Sequence, residues 1–308
     1  MFLKILLYLI YYCFYLLFPI LIFLVWQLFK NKKSLIEIII LILIIIFLIW
    51  ARFVEINYLK IKNYNFEQNK NYSKTLKVVV FSDLHLGVYN NSLVVEKLVT
   101  KINNLEPDLV IIPGDFVYFI DEKEIENNFK ALKDIRAIKV AVLGNHDYSK
   151  KGTHFSRNLS SVLESLGILM IDNKTKIVSI NDSLVELIGV EDIWVGNPDY
   201  SILKKDNSSA EIDFRFFITH NPDSLYEIKD FSADEYKKID LMISGHTHAG
   251  QIRIPFLYKY IIPTKHNFDK GFYKIADIDL FITPGIGTVG LPLRLFNFPE
   301  ISVLDIKY

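Results

Sequence analysis

Two patterns of apolar residues divide the chain. The first is continuous: Ile5 to Phe29 contains no charged residue, long enough to cross about 30 Å of hydrocarbon as a helix. After Lys30, Lys32 and Lys33 a second apolar run, Leu35 to Ala51, is interrupted only by Glu37. The second pattern begins at Leu76, where short apolar runs alternate with amphipathic stretches. It predicts a strand over 76–82, a helix over about 92–104 with Leu93, Val94, Leu98 and Ile102 on one face, and a strand over 108–113. A helix over about 122–135, a strand over 138–143 and a helix over about 155–166 follow. This β-α-β-α-β order favours parallel strands covered by helices. Beyond Gly167 strands dominate, at 168–171, 176–180, 184–190, 213–219 and 239–243, with one short helix before the last. Further strands are expected at 251–254, 271–275, 278–283 and 300–306. Many strands with few late helices predict two packed sheets. The polar stretch 54–75, rich in Asn, Tyr and Lys, reads as a linker between a membrane anchor (1–53) and a domain over 76–308.

Composition changes this picture in three ways. The first apolar run is too long for a cleaved signal peptide, lacks a small-residue cleavage site and is followed by a second run, so two transmembrane helices are expected. The only cysteine, Cys13, lies inside that first run, which excludes a disulfide framework and a thiolate metal site. Formal net charge is zero, which argues against nucleic acid as a partner. The short loop carries Lys30, Lys32 and Lys33, against Lys4, the terminal amine, Arg52, Lys60 and Lys62 on the other flanks. That count leans toward a catalytic domain on the cytoplasmic face.

Five strand-like runs end in residues that ligate metals. Val78–Phe81 runs into Ser82 and Asp83-Leu84-His85; Leu109–Ile112 into Pro113 and Gly114-Asp115; Val140–Leu143 into Gly144-Asn145-His146-Asp147. Phe214–Ile218 runs into Thr219-His220, and Leu241–Ile243 into Ser244-Gly245-His246-Thr247-His248. Taken singly, Asp83 or Asp115 would suit a helix N-cap, Asn145–Asp147 a turn, and His220 an ordinary loop histidine. Jointly they describe one site, because strand ends in an α/β fold converge on a shared crevice. The set Asp83, His85, Asp115, Asn145, His220, His246 and His248 is too large for one four-ligand metal. It fits a pair sharing one carboxylate, with Asp115 as the bridge because no partner ligand stands beside it in its own loop. Two metals about 3.5–4 Å apart hold a phosphate oxygen, neutralise developing charge and acidify a water. His146 is the candidate proton donor to the leaving group, with Asp147 to orient it. The other two of the seven histidines, His154 and His266, read as surface or substrate-side residues.

The five loops, in this order, resemble the calcineurin-like metallophosphoesterase superfamily over about residues 76–308. The resemblance implies a four-layer α/β fold, two packed mixed β-sheets flanked by helices. It implies two divalent ions, manganese, iron or zinc. One would be held by Asp83, His85, Asp115 and His248, the other by Asp115, Asn145, His220 and His246, with His146 acting on the leaving group. Many members carry an Asp three residues after the Gly-Asp aspartate; here that position is Tyr118. Thr219–Asp223, Gly245–Gln251, Gly285–Thr288, Leu291–Arg294 and Pro299–Ile301 resemble a branch anchored in the bacterial inner membrane. Ala249 replaces its usual Gly, which is tolerated unless φ there is positive. That branch includes phosphodiesterases and UDP-2,3-diacylglucosamine pyrophosphatases of lipid A biosynthesis. The substrate implied is a phosphoester or nucleotide-lipid met at the membrane. Pro255–Pro263 reads either as an apolar rim for acyl chains or as a core strand pair. The alternatives are a general phosphodiesterase or phosphatase of cell-envelope or soluble substrates, and a non-catalytic membrane scaffold.

Overall fold

The computed structural model describes residues 2–31, 34–68, 73–89, 92–148, 153–204, 211–231 and 235–308. The two apolar runs form helices α1 (Phe2–Lys30) and α2 (Leu35–Ile49), which pack on each other. The helical spans Leu3–Lys30 and Leu35–Asn57, the second including the turns that continue α2, are long and apolar enough to cross a membrane. The second does not stop where its apolar run stops. It continues through a π turn at Trp50–Val54 and a 3-10 turn at Glu55–Asn57.

The remaining helices are α3 (Ser92–Leu105), α4 (Ile125–Phe129), α5 (Thr153–Ser165) and α6 (Leu225–Ile228). The strands are β1 (Lys60–Glu67), β2 (Thr75–Val80), β3 (Leu86–Gly87), β4 (Leu109–Pro113), β5 (Val117–Tyr118), β6 (Ile138–Val142) and β7 (Ile168–Met170). They continue as β8 (Lys174–Ile180), β9 (Ser183–Gly189), β10 (Phe214–Ile218), β11 (Leu241–Ser244), β12 (Gly271–Ile275), β13 (Ile278–Ile282) and β14 (Glu300–Lys307). One six-stranded sheet runs β1-β14-β2-β4-β6-β7 and a second β12-β13-β11-β10-β9-β8. β2, β4, β6 and β7 are mutually parallel, as are β9, β10, β11 and β13.

Period-two alternation sorts the side chains of each sheet onto two buried faces. Val78, Val80, Ile111, Val140 and Val142 meet Leu187, Phe216, Ile218 and Ile243 between the sheets. The alternate residues Val79, Phe81, Val110 and Ile112 face Val95, Leu98 and Ile102 of α3 and Leu159 and Leu163 of α5. Ile188, Phe217, Met242 and Ile282 cover the outer face of the second sheet with Leu203, Leu225 and Ile228. Helix, sheet, sheet, helix is the four-layer α/β arrangement expected.

Three local expectations fail for physical reasons. The segment 54–75 is not an irregular linker: β1 pairs with β14 at every position from Lys60↔Glu300 to Glu67↔Lys307. Asn63, Asn65 and Glu67 share one face with Ile61; on the other, beyond Lys60 and Lys62, Tyr64 and Phe66 point toward the second sheet, against Phe281 and Phe214. Residues 69–72 lie outside the described set. The helix expected over 122–135 breaks into 3-10 turns at Glu122–Glu124 and Lys130–Asp134 on either side of α4. The strand expected at 251–254 reduces to one bridge, Ile252 to Leu295.

The helix pair is fixed to the sheet edge that carries the site. Arg294 N donates to Ala51 O at 3.1 Å. The buried Glu55 accepts from Trp50 Nε1 at 2.9 Å and from Asn297 N. Leu7 is buried with Val88 and Tyr118, Tyr11 stacks on Tyr89 with ring centres 5.8 Å apart, and Phe47 meets Phe296 edge-on at 5.9 Å.

Candidate metal centre

Because the central strands run parallel, their C-terminal ends lie on one edge. All five predicted strand-end loops arrive there, and main-chain hydrogen bonds lace them together. Asp83 N donates to Gly114 O (3.0 Å), His85 N to Asp115 O (3.1 Å), Gly245 N to His220 O (3.0 Å) and Gly287 N to Asp83 O (2.6 Å). Asp83, His85, Asp115, His246 and His248 all hold left-handed backbone, with φ between +46° and +70°. Non-glycine residues rarely adopt it, and such strain persists only where surrounding structure enforces it. Gly144 is required for a different reason: a Cβ there would fall on the Asp115 carboxylate.

The side chains form two buried groups, Asp83/His85/His248 and Asp115/His220/His246, each with donor atoms within 4.8 Å of one another. In the first, His85 Nε2 and His248 Nε2 face each other at 2.9 Å, and Asp83 Oδ1 lies 3.4 Å from His248 Nε2. In the second, His220 Nε2 lies 3.2 Å from Asp115 Oδ2, 3.1 Å from Asn145 Oδ1 and 3.1 Å from His246 Nδ1. Asp115 Oδ2 is also 3.5 Å from His85 Nε2, so one oxygen reaches both groups, as the bridging assignment requires. Main-chain carbonyls orient two rings, that of Pro113 at 2.7 Å from His220 Nδ1 and that of Pro263 at 3.0 Å from His246 Nε2. This leaves His220 Nε2 and His246 Nδ1 for the centre, an arrangement metal-ligating histidines commonly use.

These residues fit a divalent pair. Asp83 Oδ1 is buried with no hydrogen-bond partner among the described residues, a costly state that a cation would relieve. Burial raises the Asp83 carboxyl to about 7, with the neighbouring Asp115 anion pushing the same way. Burial would raise Asp115 too, but the charge and hydrogen bond of His220 hold it well below the usual carboxylate range. Conversely, burial opposes a charge on His220, and Asp115 outweighs it, lifting that imidazole to about 10. Burial lowers His85 and His246 to about 3 and pushes His248 well down. Neutral imidazoles with carboxylate and amide oxygens form a borderline-hard set that suits manganese, iron or zinc.

His146 stands beside this set, its ring centre 4.9 Å from that of His85 and 5.1 Å from that of Tyr118. Burial lowers its pKa. Asp147 does not orient it, contrary to expectation. One Asp147 oxygen accepts from Val117 N (3.0 Å) and the other from Gly144 N (2.9 Å). The carboxylate thus ties the 114–118 and 144–147 loops together. His154 is an exposed residue 3.6 Å from Glu122, and the exposed His266 stacks on Tyr226; neither joins the centre.

Three contributors escaped the sequence reading. β9 also ends at this edge, so its run into Glu191-Asp192 is a sixth strand-end cluster. The buried Asp192 carboxylate accepts from Trp194 N (2.8 Å) and Val195 N (3.1 Å), setting the Trp194 ring edge-on to His246 at 4.3 Å. Arg294, buried entirely, donates to Gly287 O (2.7 Å) and Pro284 O (3.1 Å) beneath His248. Asn297 Nδ2 donates to His248 O at 2.7 Å. Arg294 carried a motif resemblance but no chemistry in the sequence, and Asn297 carried no signal.

The Calcineurin-like phosphoesterase family model matches residues 76–250. The chain belongs to that family. It is 30% identical over 242 residues to the metallophosphoesterase YkuE of Bacillus subtilis, covering 75% of this chain and 79% of that one. It is 26% identical over 265 residues to the phosphodiesterase YaeI of Escherichia coli K12, covering 83% and 92%. A transmembrane protein with a metallophosphoesterase domain from Bos taurus is 28% identical over 247 residues, covering 76% of this chain and 53% of that protein. This calcineurin-like phosphoesterase is thus a metal-dependent hydrolase of phosphoesters that uses two divalent ions.

Proposed function

We propose that the chain is a membrane-anchored phosphohydrolase that cleaves a phosphodiester or pyrophosphate bond in an amphipathic substrate. The observation that carries this reading is the placement of Asp115 Oδ2 within 3.5 Å of donors in both buried groups, at an edge bolted to two apolar helices. Asp83, His85, Asp115 and His248 would hold one ion, and Asp115, Asn145, His220 and His246 the other. A bound pair supplies Lewis acidity toward a phosphoryl oxygen and an acidified water. The protein's own contribution is to fix the donors, exclude solvent and move a proton. Pro113 O and Pro263 O keep the two ring tautomers, and the backbone lacing prevents the loops from separating. His146, against the centre but outside both groups, delivers a proton to the leaving oxygen once substrate has brought negative charge beside it. Asp147 and Gly144 hold the loop from which His146 projects.

Membrane anchoring is supported by two helices that expose apolar side chains along their lengths and by the transmembrane relative. The positive-inside count favours a cytoplasmic face for the domain. Protease protection in right-side-out against inverted vesicles tests that orientation. The name of the Escherichia coli relative favours diester over monoester cleavage, and UDP-2,3-diacylglucosamine is the first substrate to try. The full chain in detergent, loaded with manganese, is assayed on UDP-2,3-diacylglucosamine, nitrophenyl mono- and diesters and free nucleotides. Preference for the acylated compound supports the reading. Equal or faster turnover of soluble diesters would replace it with a general phosphodiesterase.

A further inference from the structure

Residues Ile254–Ile261 present apolar side chains to solvent more fully than any other segment of the domain among the described residues. Phe256 is 86% exposed and Tyr260 87%, and Ile254, Leu257 and Ile261 are exposed beside them. The segment is neither a strand nor a core pair. It leaves the sheet edge after the Ile252–Leu295 bridge, makes one 3-10 turn at Tyr258–Tyr260, and returns to the metal centre, where Pro263 O meets His246 Nε2 at 3.0 Å. Arg253 anchors its base, donating to Ala249 O (2.8 Å) and Asp269 Oδ2 (2.9 Å) and lying 4.0 Å over the Tyr258 ring. So the lobe is held firmly at its root and bare at its tip.

What covers it is indicated by its neighbours. Arg253 N donates to Leu295 O at 2.8 Å, and the next residue along, Phe296, is exposed and touches Phe47 of α2. An apolar surface therefore runs from α2 through Phe296 to the lobe. Between Ile254 and Phe268 the only charged residues are Lys259 and Lys265, both exposed. Aromatic and aliphatic tips with basic flanks are the composition of a segment seated at the headgroup level of an anionic bilayer.

We propose that Ile254–Ile261 is a third membrane contact: it dips into the interface of the bilayer that α1 and α2 cross and holds the metal centre's mouth against the lipid surface. The phosphate that reaches His246 then comes from a molecule lying in that surface. The proposal rests on the membrane-anchored reading of the helix pair, and its test separates the two.

The full chain, with Cys13→Ser, carries a single nitroxide at Phe256→Cys, Ile40→Cys or Ile177→Cys in vesicles of phosphatidylethanolamine and phosphatidylglycerol. Ile40 lies exposed on α2 and Ile177 exposed on β8, the far edge strand of the second sheet. Collisions with oxygen and with a water-soluble nickel chelate report depth. The expected result is a deep label at 40, an aqueous label at 177, and a label at 256 roughly 5–10 Å below the headgroup boundary. A label at 256 as accessible to nickel as that at 177, with 40 still deep, overturns the lobe while leaving the anchor. A label at 40 that is itself aqueous overturns both. A label at 256 shielded from both reagents means that protein, such as a second copy, covers the lobe, and equally overturns the proposal.

Discussion

The metal edge and the Ile254–Ile261 lobe are inversions of the same rule. At the edge, two carboxylates and four imidazoles are buried; at the lobe, a few residues away in space, phenylalanine and tyrosine stand almost fully in solvent. Buried polar clusters and exposed apolar patches are each informative because each costs folding free energy that function must justify. The edge offsets its cost by binding cations, the lobe by leaving water for a lipid surface. Loop construction differs accordingly. The edge is laced by main-chain hydrogen bonds and holds five ligand residues in left-handed backbone, whereas the lobe is held at Arg253, at Pro263 and by Tyr258 Oη donating to Asp269 at 3.4 Å.

The largest expected effect falls on the edge. Asp115→Asn removes the negative charge at the shared position and should lower turnover of any diester by about 10^3-fold, the several kcal/mol that paired ions supply. Its folded fraction, followed by circular dichroism, should stay near that of the parent protein; full activity in this variant would show that the two groups are not one centre. Next comes His146→Ala, with a loss of about 10^2-fold on alkyl diesters. On nitrophenyl diesters, whose leaving group needs no proton, the loss should be much smaller. Equal losses on both would make His146 a binding rather than a proton-donating residue.

Those two substitutions rest on residues that the sequence exposed directly. The ligands were legible because each terminates an apolar run, and parallel strands bring such ends to one edge. Asp192 follows β9 in the same way, but its strand end carries only the adjacent Glu191 and no histidine, so the sequence offers no metal-ligand pattern there. The roles of Arg294 and Asn297 and the contact of Glu55 with Asn297 N were not legible, because each runs from a side chain to a main-chain group, which no side-chain pattern reports. The role of Asp147 was misread, since adjacency to His146 says nothing about where a carboxylate's oxygens go. β1 was hidden by its own composition: Lys60 and Lys62 precede Tyr64 and Phe66 on one face, and Asn63, Asn65 and Glu67 dominate the other, so no apolar alternation marks the strand.

A smaller effect should appear at the lobe. Phe256→Ser with Tyr260→Ser should slow turnover of a bilayer-embedded phosphodiester by about tenfold, the loss of roughly 1.4 kcal/mol of apolar insertion. A soluble chromogenic diester should be hydrolysed within twofold of the parent rate, because neither side chain touches the centre. Parallel losses on both substrates would mean that the lobe supports the edge itself.

The smallest effect concerns Ala249. Its φ of +49° is the condition under which alanine in place of glycine is strained, by about 1–2 kcal/mol. Its buried methyl returns roughly 0.8 kcal/mol, and glycine's greater freedom in the unfolded chain costs about 0.5–1 kcal/mol. Ala249→Gly should therefore move stability by less than about 1 kcal/mol in chemical denaturation, despite lying next to His248. A larger gain would show that the edge loops carry more strain than this balance allows.

The central claim, one shared oxygen joining two cation sites, is tested most directly by counting ions. The full chain is stripped with a chelator, titrated with manganese while bound metal and diester hydrolysis are followed together, and dialysed before elemental analysis. The account predicts no turnover after stripping, and two ions per chain when turnover is fully restored. Saturation at one ion, or hydrolysis that survives complete removal of metal, would contradict it.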